Sequence, residues 1–253
     1  FAALSPLLRY TGLDAAAAIR PSVIVASGIV LMLAGLTVVG AAQDAIDGFA
    51  LTATGRILEL TTQTLGVVLG ILAGLETVRV IGIGMSPPSN ALPLGPVSVQ
   101  FVGAAVIAIA VAVYNGAGAR IVVVSAALSL VAWAGYVAAS GLGFEVAAAS
   151  GVGAFVGSFA GIVVAYRLHV PSVAITTAAI LPLVPGAAVF RGLLGIVESG
   201  DDPTVLMTGV TTLAGAATIG IALAVGASLG IYLGQPVRAT LSSVTRVRAR
   251  ARR

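Results

Sequence analysis

Apolar runs of some twenty residues, repeated along the chain and separated by short polar breaks, constrain this protein more than any other feature. A helix crossing the hydrocarbon core of a bilayer needs about 20 apolar residues at roughly 1.5 Å each. Seven segments meet that requirement, at about 22 to 42, 55 to 83, 98 to 114, 119 to 139, 145 to 166, 172 to 191 and 204 to 235. Residues 1 to 8 read as the stump of an earlier span. The chain is 58% hydrophobic and only 9% charged, where a soluble domain carries roughly 25% charge. A water-soluble fold is excluded. The expected fold is all-α: a polytopic transmembrane helical bundle with seven visible spans.

The breaks between spans have ordinary turn chemistry: Ser86-Pro87-Pro88-Ser89-Asn90 through Pro96, Asn115-Gly116 through Gly118, Ser140-Gly141-Leu142-Gly143, and Ser199-Gly200-Asp201-Asp202-Pro203. None has room for a soluble domain. The second and seventh spans are longer than a crossing requires, so each is expected to tilt, break or project beyond the bilayer. The chain divides into residues 1–96, a first membrane module ending in two spans; 97–236, a second module of five spans; and 237–253, a basic tail. The first residue is Phe, and the chain is expected to begin in mid-protein.

All thirteen basic residues are arginine, and six fall in the last seventeen positions. The net charge of +4 is thus a property of the tail. It does not mark a nucleic-acid face, which would interleave basic and aromatic residues. Cytoplasmic flanks are enriched in arginine and lysine. Placing the tail inside puts Arg56, Arg120, Arg167 and the six tail arginines on that side, against Arg9, Arg20, Arg79 and Arg191 outside. A cytoplasmic C-terminus in the plasma (inner) membrane is expected. With no cysteine and one histidine, His169, a zinc site is not supported, and no cofactor is expected.

An internal repeat relates two parts of the chain. Pro21-Ser22-Val23 matches Pro171-Ser172-Val173, followed by Leu31 with Leu181, Leu33 with Leu183, Ala34-Gly35 with Pro185-Gly186, and Gly70-Ile71 with Gly220-Ile221. Five spans separate the two starts, so the copies run in opposite directions, as in inverted-repeat secondary transporters. Completing the first copy requires three further upstream spans, ten in all.

Leu181-Pro182-Leu183-Val184-Pro185-Gly186 lies inside the sixth span. Two prolines remove two backbone donors there, so the helix must kink or unwind. At that depth irregular backbone is tolerated only where protein buries it or a polar cavity borders it, and broken helices near the midplane hold substrate in transporters. Thr176 and Thr177 precede this segment and Arg191 follows it; Gly35 is the counterpart of Gly186 in the other copy. A second cluster comprises Asp44, Asp47, Arg56 and Glu59, with Thr61, Thr62, Gln63 and Thr64 extending it into the second span. Ionisable residues near spans usually face a partner or a cavity. Two readings stay open for them: a proton or ammonium site, or solvated charges at a helix end. Glycines recur every fourth residue at 66, 70 and 74, at 153, 157 and 161, and at 226, 230 and 234, which is expected to let helices approach closely.

The stretch Pro171 to Gly192, with its double-proline run and Phe190-Arg191-Gly192, resembles the C-terminal membrane module of the threonine/serine exporter family. Asp47-Gly48, Gly55-Arg56 and Glu59 resemble the preceding module, and the resemblance covers essentially the whole chain. Ala34-Gly35 departs from the Pro-Gly of many members. The resemblance implies ten spans, an N-terminal soluble region, and export of threonine and serine by the proton motive force. The partners are then a small amino acid, protons and the lipid bilayer, with a homo-oligomer left open and no nucleic acid. On this reading Gly35, Thr176, Thr177, Pro182, Pro185, Gly186 and Arg191 bind substrate between the repeats by alternating access. Asp44, Asp47, Arg56 and Glu59 form the coupling network. Rival readings are a C4-dicarboxylate exporter and a passive channel or structural subunit. An enzyme is not expected: Asp44 and Asp47 share one element, unlike the two carboxylates of an intramembrane protease.

Overall fold

In a computed structural model that describes residues 35–81, 95–168, 179–199 and 202–250, every regular element among the described residues is helical. In chain order these are α1 (Gly35–Ile46), α2 (Ala50–Val80), α3 (Val97–Tyr114), α4 (Ala119–Gly141), α5 (Val146–Leu168), a 3₁₀ turn (Leu181–Leu183), α6 (Gly186–Glu198) and α7 (Pro203–Arg250). Four helices among the described residues are long and apolar enough to span a bilayer: α3, α4, α5 and the Pro203–Pro236 part of α7. The run expected from 55 to 83 is one continuous helix, α2, of 31 residues. Most of the run from 22 to 42, the start of that from 172 to 191, and the Pro21 and Pro171 ends of the repeat lie outside the described residues.

Residue size shows what surrounds the helices. On α3, Val99, Val102, Val106, Ile109 and Val113 are exposed, whereas the buried residues are Ala104, Ala108 and Ala112. Large aliphatic groups face outward and small ones inward, the reverse of a soluble helix. Hydrocarbon solvates the outward face at no cost, so close packing of small residues drives helix association. The buried face of α5 follows the same rule, with Ala149, Ser150, Gly153, Ala154, Gly157, Ser158, Gly161, Ile162 and Ala165.

The expected turns have one structural solution used three times. Helices α1, α3 and α4 end with Gly48, Gly116 and Gly143 at φ +86°, +71° and +87°. In each, the glycine amide and the next one bond back to the last turn: Gly48 to Ala45 and Phe49 to Asp44, Gly116 to Val113 and Ala117 to Ala112, Gly143 to Ser140 and Phe144 to Ala139. This Schellman closure needs a left-handed residue, which glycine adopts without strain. The overlong seventh span belongs to α7, a single 48-residue helix that carries Pro236 in its interior and continues past the apolar stretch. At about 1.5 Å per residue it is more than twice as long as a bilayer core is thick.

Two compact units are present. One gathers α2 from Thr54, α6 and the first part of α7 up to Ala216. Its α6 buries Phe190 and Leu194 beside Val67 of α2, and crosses α7 where Gly192 and Gly195 meet Gly209. A methyl on Gly209 would sit 2.8 Å from the Gly192 carbonyl oxygen, so only glycine fits that crossing. The other unit holds Val39–Ala53, α3, α4, α5, the turn through Val184, and α7 from Ala217. Its core is formed by Ala132, Ala154, Ile180, Leu183, Leu223, Ala224 and Ala227.

Candidate functional site

The proline-broken segment forms as its sequence dictates. Ile180 is still near helical (φ −87°, ψ −12°), Leu181–Leu183 form one 3₁₀ turn, and Val184 is extended (φ −69°, ψ 128°). A residue before proline is pushed out of the helical region by the proline ring, and that is the position of Val184. Pro185 then caps α6, accepting the first helical bonds from the Ala188 and Val189 amides at 3.1 Å each. The Leu181 carbonyl accepts the Val184 amide at 3.1 Å; its regular helical donor would be residue 185, a proline with no N–H. The break therefore leaves the Leu181 carbonyl with a 3₁₀ bond in place of a helical one and places the leading amides of Gly186 and Ala187 at the positive end of α6.

The N-terminal half of the break is held by packing. The 3₁₀ turn touches α3, α4 and α5. Leu183 is buried, and a methyl on Gly153 would lie 2.9 Å from its Cδ1 and 2.7 Å from the Ala132 carbonyl oxygen. Likewise a methyl on Gly157 would lie 2.7 Å from the Ala132 Cβ and 3.7 Å from the Ala179 Cβ. The α5 glycines thus make the seat for the broken span. Sequence reasoning treated them only as helix-packing residues.

The residues predicted for substrate fall as follows. Pro182 and Pro185 are half-buried, Gly186 is buried, and Arg191 is half-buried on α6. Gly35 is the first residue of α1. Thr176 and Thr177 lie outside the described residues, as does His169. In the charged cluster, Asp44 is half-buried in the last turn of α1, while Asp47, Arg56 and Glu59 are exposed. Glu59 accepts a 3.3 Å bond from the Gln63 side chain one turn on. The Thr61 and Thr62 hydroxyls bond the Ile57 and Leu58 carbonyls of their own helix at 2.7 and 2.9 Å. This local back-bonding, repeated at Thr208, Thr211 and Thr212, satisfies threonine without a ligand. Gly48, prominent in the Asp-Gly-Arg resemblance, has a structural task as the closing residue of α1.

Two features were not singled out from sequence. One is a polar stripe on α4: Ser125, Ser129 and Trp133, spaced four apart. Ser129 is fully buried and donates to the Ala104 carbonyl of α3 at 2.9 Å. Trp133 packs its ring on Tyr136, with centroids 5.0 Å apart, and lies against the core that includes Ile180 and Leu183. The other is Asp202, whose Oδ1 accepts the Thr204 amide at 2.8 Å at the start of α7. That bond holds its carboxyl below the ordinary value. Serine at every fourth position was the available signal for the stripe; a lone tryptophan gives none.

Small-residue packing between long apolar helices, and backbone that breaks within one of them, define a multi-pass α-helical membrane protein. The family described as "Threonine/Serine exporter, ThrE" matches residues 100–232, and a second profile, ThrE, matches residues 1–78. A Mycobacterium tuberculosis protein named "Probable threonine/serine exporter" is 35% identical over 232 residues, covering 86% of this chain and 42% of its own. A Corynebacterium glutamicum protein named "Threonine/serine exporter" is 32% identical over 223 residues, covering 87% and 44%. No solved structure shows a significant match. The chain belongs to the threonine/serine exporter family, a family of transporters, and spans less than half the length of these relatives.

Proposed function

We propose that this chain is the greater part of the membrane machinery of a secondary exporter, which moves threonine and serine out across the plasma membrane at the expense of the proton motive force. The observation that carries this reading is the backbone break at Leu181–Gly186, inside an apolar span of a chain belonging to this family. An amino-acid zwitterion needs donors for its carboxylate and acceptors for its ammonium group. The leading amides of α6 are of the first kind, and carbonyls of the irregular backbone before Pro185 are of the second. Pro182, Pro185 and Gly186 shape this backbone, and Arg191, on the second turn of α6, supplies positive charge. Gly35, Thr176 and Thr177 complete the proposed substrate set.

Asp44, Asp47, Arg56 and Glu59 are the proposed proton-coupling groups, the first two at the turn between α1 and α2 and the other two in the second and third turns of α2. The proposal extends to two membrane modules meeting near residue 96, a reading supported by the separate profile matches to 1–78 and 100–232. It also includes a ten-span inverted repeat in the whole protein and a cytoplasmic C-terminus. The test is transport by the full-length protein in proteoliposomes, using labelled threonine, serine and succinate under an imposed pH gradient. Gradient-dependent accumulation of threonine and serine is expected. Succinate accumulation would make it a dicarboxylate exporter, and flux that only equilibrates the amino acid would make it a channel.

A further inference from the structure

We propose that the indole N–H of Trp133 recognises the side-chain hydroxyl of the exported amino acid, and so sets selectivity for threonine and serine over their hydrocarbon analogues. This rests on the export reading above and adds to it the group that reads the substrate's side chain. Tryptophan in membrane proteins gathers at the bilayer surface, where its ring is buried and its N–H is wet. Trp133 lies three residues from the midpoint of α4, Ala119–Gly141, about 4.5 Å along the axis. Its Nε1 is buried and has no acceptor among the described residues.

Ser125 of the same stripe is also buried with no partner among the described residues, but a serine is less constrained. Ser129 is already bonded to Ala104, and a serine hydroxyl can turn to a carbonyl of its own helix, as Ser150 does to Val146 at 2.7 Å. An indole is a donor only, with its N–H at the far side of a rigid ring, and it has no such retreat. A buried donor without an acceptor is destabilising, and more so in hydrocarbon.

The broken segment, which touches α4, supplies backbone acceptors near Trp133. The core it joins includes Ile180 and Leu183, the flanks of Leu181. The Leu181 carbonyl has the Val184 amide but no helical donor from residue 185. A donor without an acceptor, and a carbonyl with a lone pair left beyond its one bond, thus occupy elements in mutual contact. The chemistry that answers both is a hydroxyl, which accepts from the indole and donates to a carbonyl. A carboxylate would be repelled by the carbonyls, an ammonium group cannot accept from the indole, and a methyl group does neither.

The experiment uses the full-length protein in proteoliposomes, with threonine set against valine, in which a methyl replaces the hydroxyl, and serine against alanine. Trp133→Phe keeps an aromatic ring in the core and removes only the N–H-bearing part. Its threonine-to-valine preference should fall by about tenfold to a hundredfold, chiefly through loss of threonine transport. An unchanged preference, with threonine still carried, overturns the role of Trp133 and leaves the export reading standing. Failure of the unaltered protein to carry threonine or serine removes both. Should Trp133→Phe not fold, unaltered protein with ¹⁵N-labelled indoles decides the matter: threonine should move one indole N–H resonance downfield and valine none, and no response to threonine overturns the proposal.

Discussion

Replacing Gly230 by alanine tests the packing that seats the broken span. The added methyl would lie 2.5 Å from the Phe155 carbonyl oxygen, 2.9 Å from the Phe159 nitrogen and 3.0 Å from the Ser158 Cβ. Ordinary contact begins at 3.4 Å, so the closest approach falls short by 0.9 Å. Two of the three atoms belong to the α5 backbone, and no side-chain rotation relieves them. Helices α5 and α7 must separate, at an overpacking cost of about 1–3 kcal/mol. Alanine returns about 0.8–1 kcal/mol in helix propensity, leaving a net loss of up to about 2 kcal/mol. At about 2–4 °C per kcal/mol the midpoint of thermal unfolding should drop by up to several degrees. The control is Gly70→Ala on α2, where an added methyl meets nothing within 4 Å; only the propensity gain remains, and the midpoint should rise slightly. The assay is thermal unfolding of the purified full-length protein in one detergent, followed by loss of the monodisperse size-exclusion peak. A Gly230→Ala protein as stable as the unaltered one, beside a destabilised Gly70→Ala, would refute the reasoning.

Three further outcomes are expected. Pro185→Ala restores a donor for the Leu181 carbonyl and removes about 3 kcal/mol of helix-breaking bias; thermal stability should hold or rise while threonine counterflow falls at least about tenfold. Asp47→Asn and Arg56→Ala, correctly inserted, should lose pH-gradient-driven threonine accumulation; normal accumulation by both would remove them from the coupling network. Asp202→Ala should speed hydrogen exchange of the Thr204 amide at neutral pH. Because the Thr204 amide depresses the Asp202 carboxyl below 3.8, this cap is present above that value and is lost as pH falls through the lower, folded value. The difference between Asp202→Ala and the unaltered protein should therefore close in strong acid.

What could be read from the sequence was what local chemistry decides. Apolar length marked the spans, and Pro182 and Pro185 marked the break, because a missing N–H is a property of the residue itself. The glycine stripes show where such reading stops. Those at 66, 70 and 74 look identical in sequence to those at 226, 230 and 234. Only the latter meet a neighbouring helix, Gly226 and Gly230 its backbone and Gly234 its side chains, because contact depends on which helix lies opposite. Asp47-Gly48 reads as a functional motif, yet Gly48 closes a helix, an ambiguity rooted in glycine's double use in turns and sites. Trp133 was invisible for another reason. A single tryptophan has no periodicity, and its interest lies in a donor whose acceptor has to be sought in three dimensions.

The central claim is that the amino acid meets the protein at the proline-broken segment. Val184, extended between the 3₁₀ turn and Pro185, is the position at which to ask. The 253 residues contain no cysteine, so a Val184→Cys variant in a cysteine-free, transport-competent full-length background can be labelled with a maleimide at that site alone. Threonine and serine should slow the labelling in proportion to their occupancy in transport, and succinate should not. Labelling that proceeds at the same rate with and without transport-saturating threonine would contradict the account.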